Sequence, residues 1–407
     1  MKNRRVMMAV LAMALLQAGA WGQGAPAART IDLAGNGAAG DYSAQRGYGL
    51  GASPKATANG KGLQAPEYFR LDLDAAPGNY DVTATLGNPS AESTTTIRSQ
   101  AHRPMIVDAH TGAGEYRAVR FTVNVHPGVG GHSGLDDDGR MHLEFLGKMP
   151  SVTRVEVTPN ITAPTIFIAG DSTACDYNSD PRVGWGSMLP LFFKPGEAAV
   201  CNLAQSGRSA KSFIAEKRQE DLFRTMKPGD FLLMQFAHND QKDRSLTQEQ
   251  WKQVLMTYVD GVKARGGTTI LVAAQPRRQF DDQGKIKNSL GEFPESVRQL
   301  AREQNLGLID LNARATVFFD ALGVEASKKA FCYYPGGEFT GKPSDNADNT
   351  HFTPYGAYEL AKLVAHEIRD RHLAPANLLV DPLEPTNTDP AKFPASLDYN
   401  PLRIARP

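Results

Sequence analysis

The sequence predicts a two-part chain: an all-β antiparallel sandwich, then a three-layer α/β domain around a five-stranded parallel sheet. Three observations carry that expectation. Apolar residues follow strict period two before the middle of the chain, then give way to short apolar runs separated by helical stripes. A segment rich in Thr, Pro and Asn, 158–164, stands where the pattern changes and reads as a linker. Each apolar run after it ends in residues with reactive or polar side chains, and open α/β sheets place their ligand crevice at the carboxyl ends of strands.

At 407 residues and 41% hydrophobic, the chain is long enough for two cores. A net charge of +0 gives no global reason to expect nucleic acid or an anionic membrane as partner. Residues 1–22 read as a secretory signal peptide, with Lys2, Arg4 and Arg5 ahead of an apolar run at 6–16 and small residues at Ala18 and Ala20. The run is too short to span a bilayer comfortably. The expected location is therefore secreted or periplasmic, with no membrane contact once the leader is cleaved. Export permits disulfides, but Cys175, Cys201 and Cys332 are an odd set. Cys175 and Cys201 can meet if neighbouring strands carry them, and all three equally suit small buried positions. No metal-ligand spacing is present, and no metal or other cofactor is expected.

The first part covers 28–160. Phe69, Leu71 and Leu73 alternate with Arg70, Asp72 and Asp74, and Val119, Phe121, Val123 and Val125 with Arg120, Thr122 and Asn124. Met141, Leu143 and Phe145, then Val155 and Val157, repeat the pattern. With Gly/Pro/Asn turns between short runs, such as 76–79, this predicts a half-exposed sandwich. The region resembles galactose-binding-like jelly-roll modules found beside glycan-active enzymes, in pattern rather than by a diagnostic motif. That likeness makes it a candidate carbohydrate-binding module. The run Asp136-Asp137-Asp138 offers either calcium ligands or a solvated acidic loop.

The second part covers 164–374, with strands expected at 166–169, 199–203, 231–236, 269–273 and 306–311. Amphipathic helices are expected between them. One carries Trp251, Val254, Leu255, Tyr258 and Val262 on a single stripe, opened by a Thr247/Gln250 capping box and closed by Gly266-Gly267. The final helix carries Ala357, Leu360, Ala361, Val364 and Ile368, with Thr353 as N-cap and Pro354 at its first position. The proline-rich tail, 375–407, is expected to drape over this domain.

Chemistry collects at the strand ends. The first gives Gly170-Asp171-Ser172, the second Gln205-Ser206-Gly207-Arg208-Ser209, the third His238-Asn239-Asp240. Asp348-Asn349-Thr350-His351 comes just before the last helix. A serine nucleophile needs a base for its proton and donors for a developing oxyanion. Five of the nine histidines precede the linker, and His366 and His372 lie in or after the last helix, which leaves His238 and His351. His351 has Asp348 three residues earlier, where a turn can bring both side chains to one side and fix the imidazole tautomer. His238 lacks an equivalent orienting partner, a carboxylate three residues earlier in a turn, and is expected to support its loop. Backbone N–H groups of Ser172 and Gly207 and the Asn239 amide can form the anion site. Arg277 and Arg278 follow the fourth strand; with Arg208 they are candidates to hold a galacturonate carboxylate, the alternative being surface ion pairs.

These blocks, in this order, resemble those of the SGNH (GDSL) hydrolases. Gly170-Asp171-Ser172-Thr173, Gly184-Trp185-Gly186, the run from Gly207-Arg208-Ser209 to Phe213, and the Asp-x-Thr-His ending at His351 resemble rhamnogalacturonan acetylesterases, the family 12 carbohydrate esterases. Ala237 departs from the glycine common before His-Asn-Asp, a change that leaves every proposed catalytic group in place. The resemblance implies a flavodoxin-like sheet and a cofactor-free serine esterase acting on acetylated plant polysaccharide, rhamnogalacturonan or pectin first. Ser172 would be the nucleophile, His351 the base, Asp348 its orienter, and Ser172, Gly207 and Asn239 the oxyanion hole. Competing readings are an SGNH lipase or acetylxylan-type esterase, a transacetylase, and a non-catalytic glycan-binding protein. No long apolar stretch near the blocks suggests a lid for acyl chains.

Overall fold

The computed structural model describes residues 27–34, 40–51, 56–126, 138–177, 181–398 and 403. The expected signal peptide, and Asp136 and Asp137 of the acidic run, lie outside the described residues.

Before the linker the chain forms β1 (Arg29–Asp32), β2 (Tyr48–Leu50), β3 (Thr57–Ala58), β4 (Leu63–Gln64), β5 (Tyr68–Asp74), β6 (Gly78–Leu86), β7 (Ser93–Ser99), β8 (Arg103–Thr111), β9 (Arg117–Val125), β10 (Arg140–Lys148) and β11 (Ser151–Pro159). One sheet runs β3-β4-β11-β6-β9 with β1 also on β11, the other β2-β5-β10-β7-β8. Their apolar positions face each other in one core: Phe69, Leu71 and Leu73 of β5 meet Val82 and Leu86 of β6 and Phe121 and Val123 of β9. Phe69 and Phe145 are direct cross-strand partners, and their rings stack at 4.9 Å.

The opposite faces are less exposed than alternation alone predicts. Asp72, His142 and Glu144 are buried, each with a polar partner: His142 Nδ1 meets Asp72 at 2.9 Å and His102 meets Glu144 at 2.8 Å. Asp138, the described member of the acidic run, is bound to His142 Nε2 at 3.0 Å. Thr122 and Asn124 of β9 are buried for another reason, since this edge of the sandwich docks on the α/β domain. The Gly196 N–H donates to Thr122 Oγ1 (2.7 Å), and the Asn79 amide donates to the Ala163 carbonyl (3.1 Å) and Thr165 Oγ1 (3.0 Å). Arg103 crosses the same boundary to Asp176 at 2.8 Å, with both side chains about 4% exposed. Removing one partner of a buried ion pair leaves an uncompensated charge. Arg103→Ala is therefore expected to cost about 3–5 kcal/mol in denaturant-induced unfolding; a loss within error of zero contradicts this assignment.

After the linker come β12 (Thr165–Gly170), β13 (Ala199–Asn202), β14 (Phe231–Gln235), β15 (Thr268–Val272) and β16 (Gly307–Ile309). They form a wholly parallel sheet in the order β13-β12-β14-β15-β16. Helices α1 (Trp185–Met188), α2 (Ala210–Ala215), α3 (Arg218–Thr225), α4 (Gln248–Lys263), α5 (Phe293–Glu303), α6 (Leu311–Ala326) and α7 (Pro354–Asp370) cover both faces. Successive strand residues point to opposite sides. Ile166, Ile168, Val200 and Leu233 pack with α1, α6 and α7, while Phe167, Ala169, Leu232 and Met234 pack with α2 to α5. The three-layer α/β fold with a five-stranded parallel sheet, as read from the sequence, is what the chain adopts. The capping box of Thr247 and Gln250 opens α4, and Thr353 caps α7 with Pro354 first.

Two elements differ from the sequence reading. The fifth strand stops at Ile309 because the Asp310 carboxylate accepts from the Ala313 N–H (3.1 Å) and starts α6 at Leu311. Between α6 and α7 stands an antiparallel pair, β17 (Phe331–Tyr334) and β18 (Asn346–Phe352), and β18 carries Asp348 and His351. The tail runs back across α7: the Asn387 N–H donates to Glu359 (2.8 Å), and Phe393 packs on Tyr355 and Tyr358. It then reaches the sandwich, where Arg98 donates to the Ser396 carbonyl (3.4 Å).

Candidate active site

Strand β12 lies between β13 and β14, so the chain direction of the connections reverses beside it and a crevice opens beyond its carboxyl end. Ser172 stands there. The turn holding it is fixed from inside by Asp171, whose Oδ1 accepts from the Thr173 N–H (2.9 Å) and hydroxyl (2.8 Å). Asp171 Oδ2 meets His238 Nδ1 at 3.2 Å. Burial works against a charge on Asp171, but His238 and the Thr173 donors outweigh it and hold the carboxyl below its ordinary range. His238 thus supports its loop as expected, and does so through a carboxylate that sequence proximity did not reveal. From outside, Tyr177 donates its hydroxyl to the Ser172 carbonyl at 3.0 Å. The Trp185 indole N–H donates to Gln235 Oε1 (2.8 Å), whose Nε2 donates to Thr173 Oγ1 (2.6 Å).

His351 Nε2 lies 2.9 Å from Ser172 Oγ, and its Nδ1 lies 2.6 Å from Asp348 Oδ2. Both Asp348 oxygens are engaged, since Oδ1 accepts from the N–H groups of Thr350 (2.8 Å) and His351 (3.1 Å). Burial again opposes the charge, and the His351 contacts with these two N–H groups more than offset it, leaving the Asp348 carboxyl below the usual range. With Nδ1–H held by Asp348, Nε2 is left as an acceptor aimed at the serine hydroxyl. The three groups can therefore pass a proton from serine to imidazole without rearrangement.

Gly207 has φ +80°, a conformation that favours glycine, and a Cβ there would meet nothing within 4 Å. Among the described residues no acceptor takes the N–H of Ser172 or of Gly207. The Gln205 N–H donates to the Gly170 carbonyl (3.0 Å), which ties the Gly207 loop to the end of β12. Asn239 closes on the same loop: its Nδ2 donates to the Arg208 carbonyl (3.1 Å), and Lys242 Nζ donates to its Oδ1 (2.7 Å). Asp240 ties this block to two helices, accepting from the Ala210 N–H (2.9 Å) and the Trp251 indole (2.8 Å), and burial pushes its carboxyl up to about 6.

The three arginines expected at the substrate have protein partners. Arg208 Nε lies 2.8 Å from Glu216, and its terminal nitrogen donates to the Ser206 carbonyl (2.7 Å). Arg278 is buried and donates to Ser327 (3.0 Å), Tyr333 (3.1 Å) and the Val324 carbonyl. Arg277 donates to Thr350 Oγ1 (2.6 Å) and the His238 carbonyl (3.2 Å). All three cysteines are buried, Cys175 with its sulfur 3.8 Å from the Ser172 carbonyl. Burial pushes the Cys175 thiol far up, so it is no competing nucleophile. Among the described residues no His/Cys/Asp/Glu group could hold a metal ion, and no helix is long and apolar enough to cross a membrane.

Residues 166–364 match the family described as GDSL-like Lipase/Acylhydrolase. The chain is 38% identical over 208 residues to rhamnogalacturonan acetylesterase RhgT of Bacillus subtilis, spanning 50% of this chain and 89% of that protein. It is 28% identical over 319 residues to the uncharacterized esterase YxiM of the same organism, spanning 77% of each. The crystal structure of YxiM covers 85% of this chain and 99% of its own, with 23% identity and a TM-score of 0.49.

Proposed function

We propose that this chain, which belongs to the GDSL-like lipase/acylhydrolase family and is a serine esterase, is exported and removes acetyl groups from rhamnogalacturonan in pectin. The observation that carries the chemistry is the contact line from Ser172 Oγ through His351 to Asp348, at the switch point of the sheet. Relatives named rhamnogalacturonan acetylesterase support the substrate class. The positively charged and apolar start of the sequence supports export to the periplasm or the medium.

In the reaction Ser172 Oγ attacks the acetyl carbonyl as His351 Nε2 takes its proton. The carbonyl oxygen becomes an oxyanion facing the N–H groups of Ser172 and Gly207 and the Asn239 amide. Collapse expels the sugar alkoxide, which receives the proton from His351, and leaves an acetyl ester on Ser172. Water, deprotonated by the same imidazole, then releases acetate and restores the serine. No step calls for a cofactor. Losing one oxyanion donor typically costs about a hundred- to a thousand-fold. Asn239→Ala is expected to lower kcat by about that factor with KM nearly unchanged. An unchanged kcat removes Asn239 from the oxyanion hole.

Acetate release from a panel of acetylated polysaccharides tests the substrate. Faster release from acetylated pectic rhamnogalacturonan than from acetylated xylan or mannan supports the reading. Preference for xylan, or for an octanoate over an acetate aryl ester, contradicts it. N-terminal sequencing of the exported protein tests cleavage near residue 22.

A further inference from the structure

Arg277 and Arg278 grip Asn349 and Thr350, the two residues that separate Asp348 from His351. The Arg278 N–H donates to the Asn349 carbonyl at 2.8 Å, while the Arg277 guanidinium donates to Thr350 Oγ1 at 2.6 Å. The other terminal nitrogen of Arg277 donates to the His238 carbonyl (3.2 Å), and His238 immediately precedes Asn239. The Gln241 amide, turned so that its oxygen faces the guanidinium, accepts from that nitrogen at 2.7 Å. The backbone of Arg277 is itself anchored, its N–H donating to Ser289 Oγ (2.7 Å).

One half-buried side chain therefore spans the loop that supplies the base and the loop that supplies an oxyanion donor. Thr350 is coupled directly to the carboxylate, because its N–H donates to Asp348 Oδ1 (2.8 Å). A shift of Thr350 is a shift of Asp348 and, through it, of the imidazole. The charge is compatible with this place. Burial lowers the Arg277 pKa, but the nearby Asp171 and Asp348 carboxylates favour its cationic form. A planar fork can serve two acceptors at once, which a lysine ammonium on a flexible stem does not reproduce.

We propose that Arg277 is a positioning residue that holds the Asp348–His351 loop in register with the Asn239 loop, rather than a binding group for a substrate carboxylate. This rests on Ser172, His351 and Asp348 forming the catalytic relay. A misplacement of about 1 Å at reacting groups can cost about a hundred-fold in rate.

Arg277→Ala is expected to lower kcat by about a hundred-fold on nitrophenyl acetate and on acetylated rhamnogalacturonan oligosaccharide alike, with KM nearly unchanged on both. Labelling of Ser172 by a small fluorophosphonate should slow by a similar factor. Arg277→Lys should restore only part of the rate. Thr350→Val, which removes a single acceptor, should lower kcat on both substrates, and adding it to Arg277→Ala should have little further effect. Thr350→Val also carries the test if Arg277→Ala does not fold. The proposal is overturned by a loss confined to the oligosaccharide, by a lowered melting temperature with kcat unchanged, or by full kcat in Thr350→Val. None of those results touches the catalytic relay, whose own failure would appear as an active Ser172→Ala enzyme.

Discussion

Ser172→Ala is expected to lower kcat by on the order of a million-fold, with the folded structure and substrate affinity little changed. The size follows from the roles that meet at one atom. Ser172 Oγ is the attacking group and the hydrogen-bond partner of His351 Nε2 at 2.9 Å. Without it no acyl-enzyme forms, and the reaction falls back on water attacking an ester held beside the oxyanion donors. That residual pathway still benefits from binding and oxyanion stabilisation, so the rate does not fall to that of free solution. The turn itself should survive, because Asp171, Thr173 and Tyr177 hold it through groups other than the Ser172 side chain. The check pairs initial rates on nitrophenyl acetate with thermal unfolding. A drop in rate accompanied by a large loss of stability would mean that the hydroxyl is structural.

Asp348→Asn is expected to cost about ten-thousand-fold in kcat. The amide keeps the shape of the carboxylate, and its oxygen can still accept from the Thr350 and His351 N–H groups now bound by Oδ1. Its NH2 then faces His351 Nδ1, which must become an acceptor. The proton moves to Nε2, and Nε2 can no longer take the serine proton. Geometry is preserved while the tautomer is wrong, so KM and melting temperature should stay close to those of the parent. The Asp348 carboxyl itself is held below its usual range, so the parent enzyme keeps this carboxylate ionised in mild acid. A variant retaining a tenth or so of the parent rate would mean that the tautomer is set by another group.

Much of this site was legible because its parts are close in sequence or sit at the ends of apolar runs. Asp348 and His351 are three residues apart, and Gly170-Asp171-Ser172 follows a run whose apolar residues are all buried. What the sequence hid are contacts made across the fold. Asp171 and His238 are 67 residues apart, and Arg103 and Asp176 are 73 apart, as are Arg277 and Thr350. No local pattern marks such pairs, so the sequence offers Arg277 only as a group for a galacturonate carboxylate or a surface ion pair. Alternation failed in a related way at Thr122 and Asn124. It marks which side chains share a face, but a second domain covers that face as well as water does. Strand β18, Asn-Ala-Asp-Asn-Thr-His-Phe, has neither apolar alternation nor β-branched enrichment, and reads as a loop until Phe331 and Tyr334 pair with it. The end of the fifth strand was lost to a cap, where Asp310 turned the expected strand residue Leu311 into the start of a helix.

In the proposed reaction an acetyl ester forms on Ser172 in every turnover. Acid quenching of the enzyme while it hydrolyses nitrophenyl acetate, followed by peptide mapping, tests this directly. An acetyl group is expected on the peptide that holds Ser172, at that side chain, and none in Ser172→Ala. Acetyl on another side chain, with Ser172 unmodified and the Ser172→Ala enzyme still active, would contradict it.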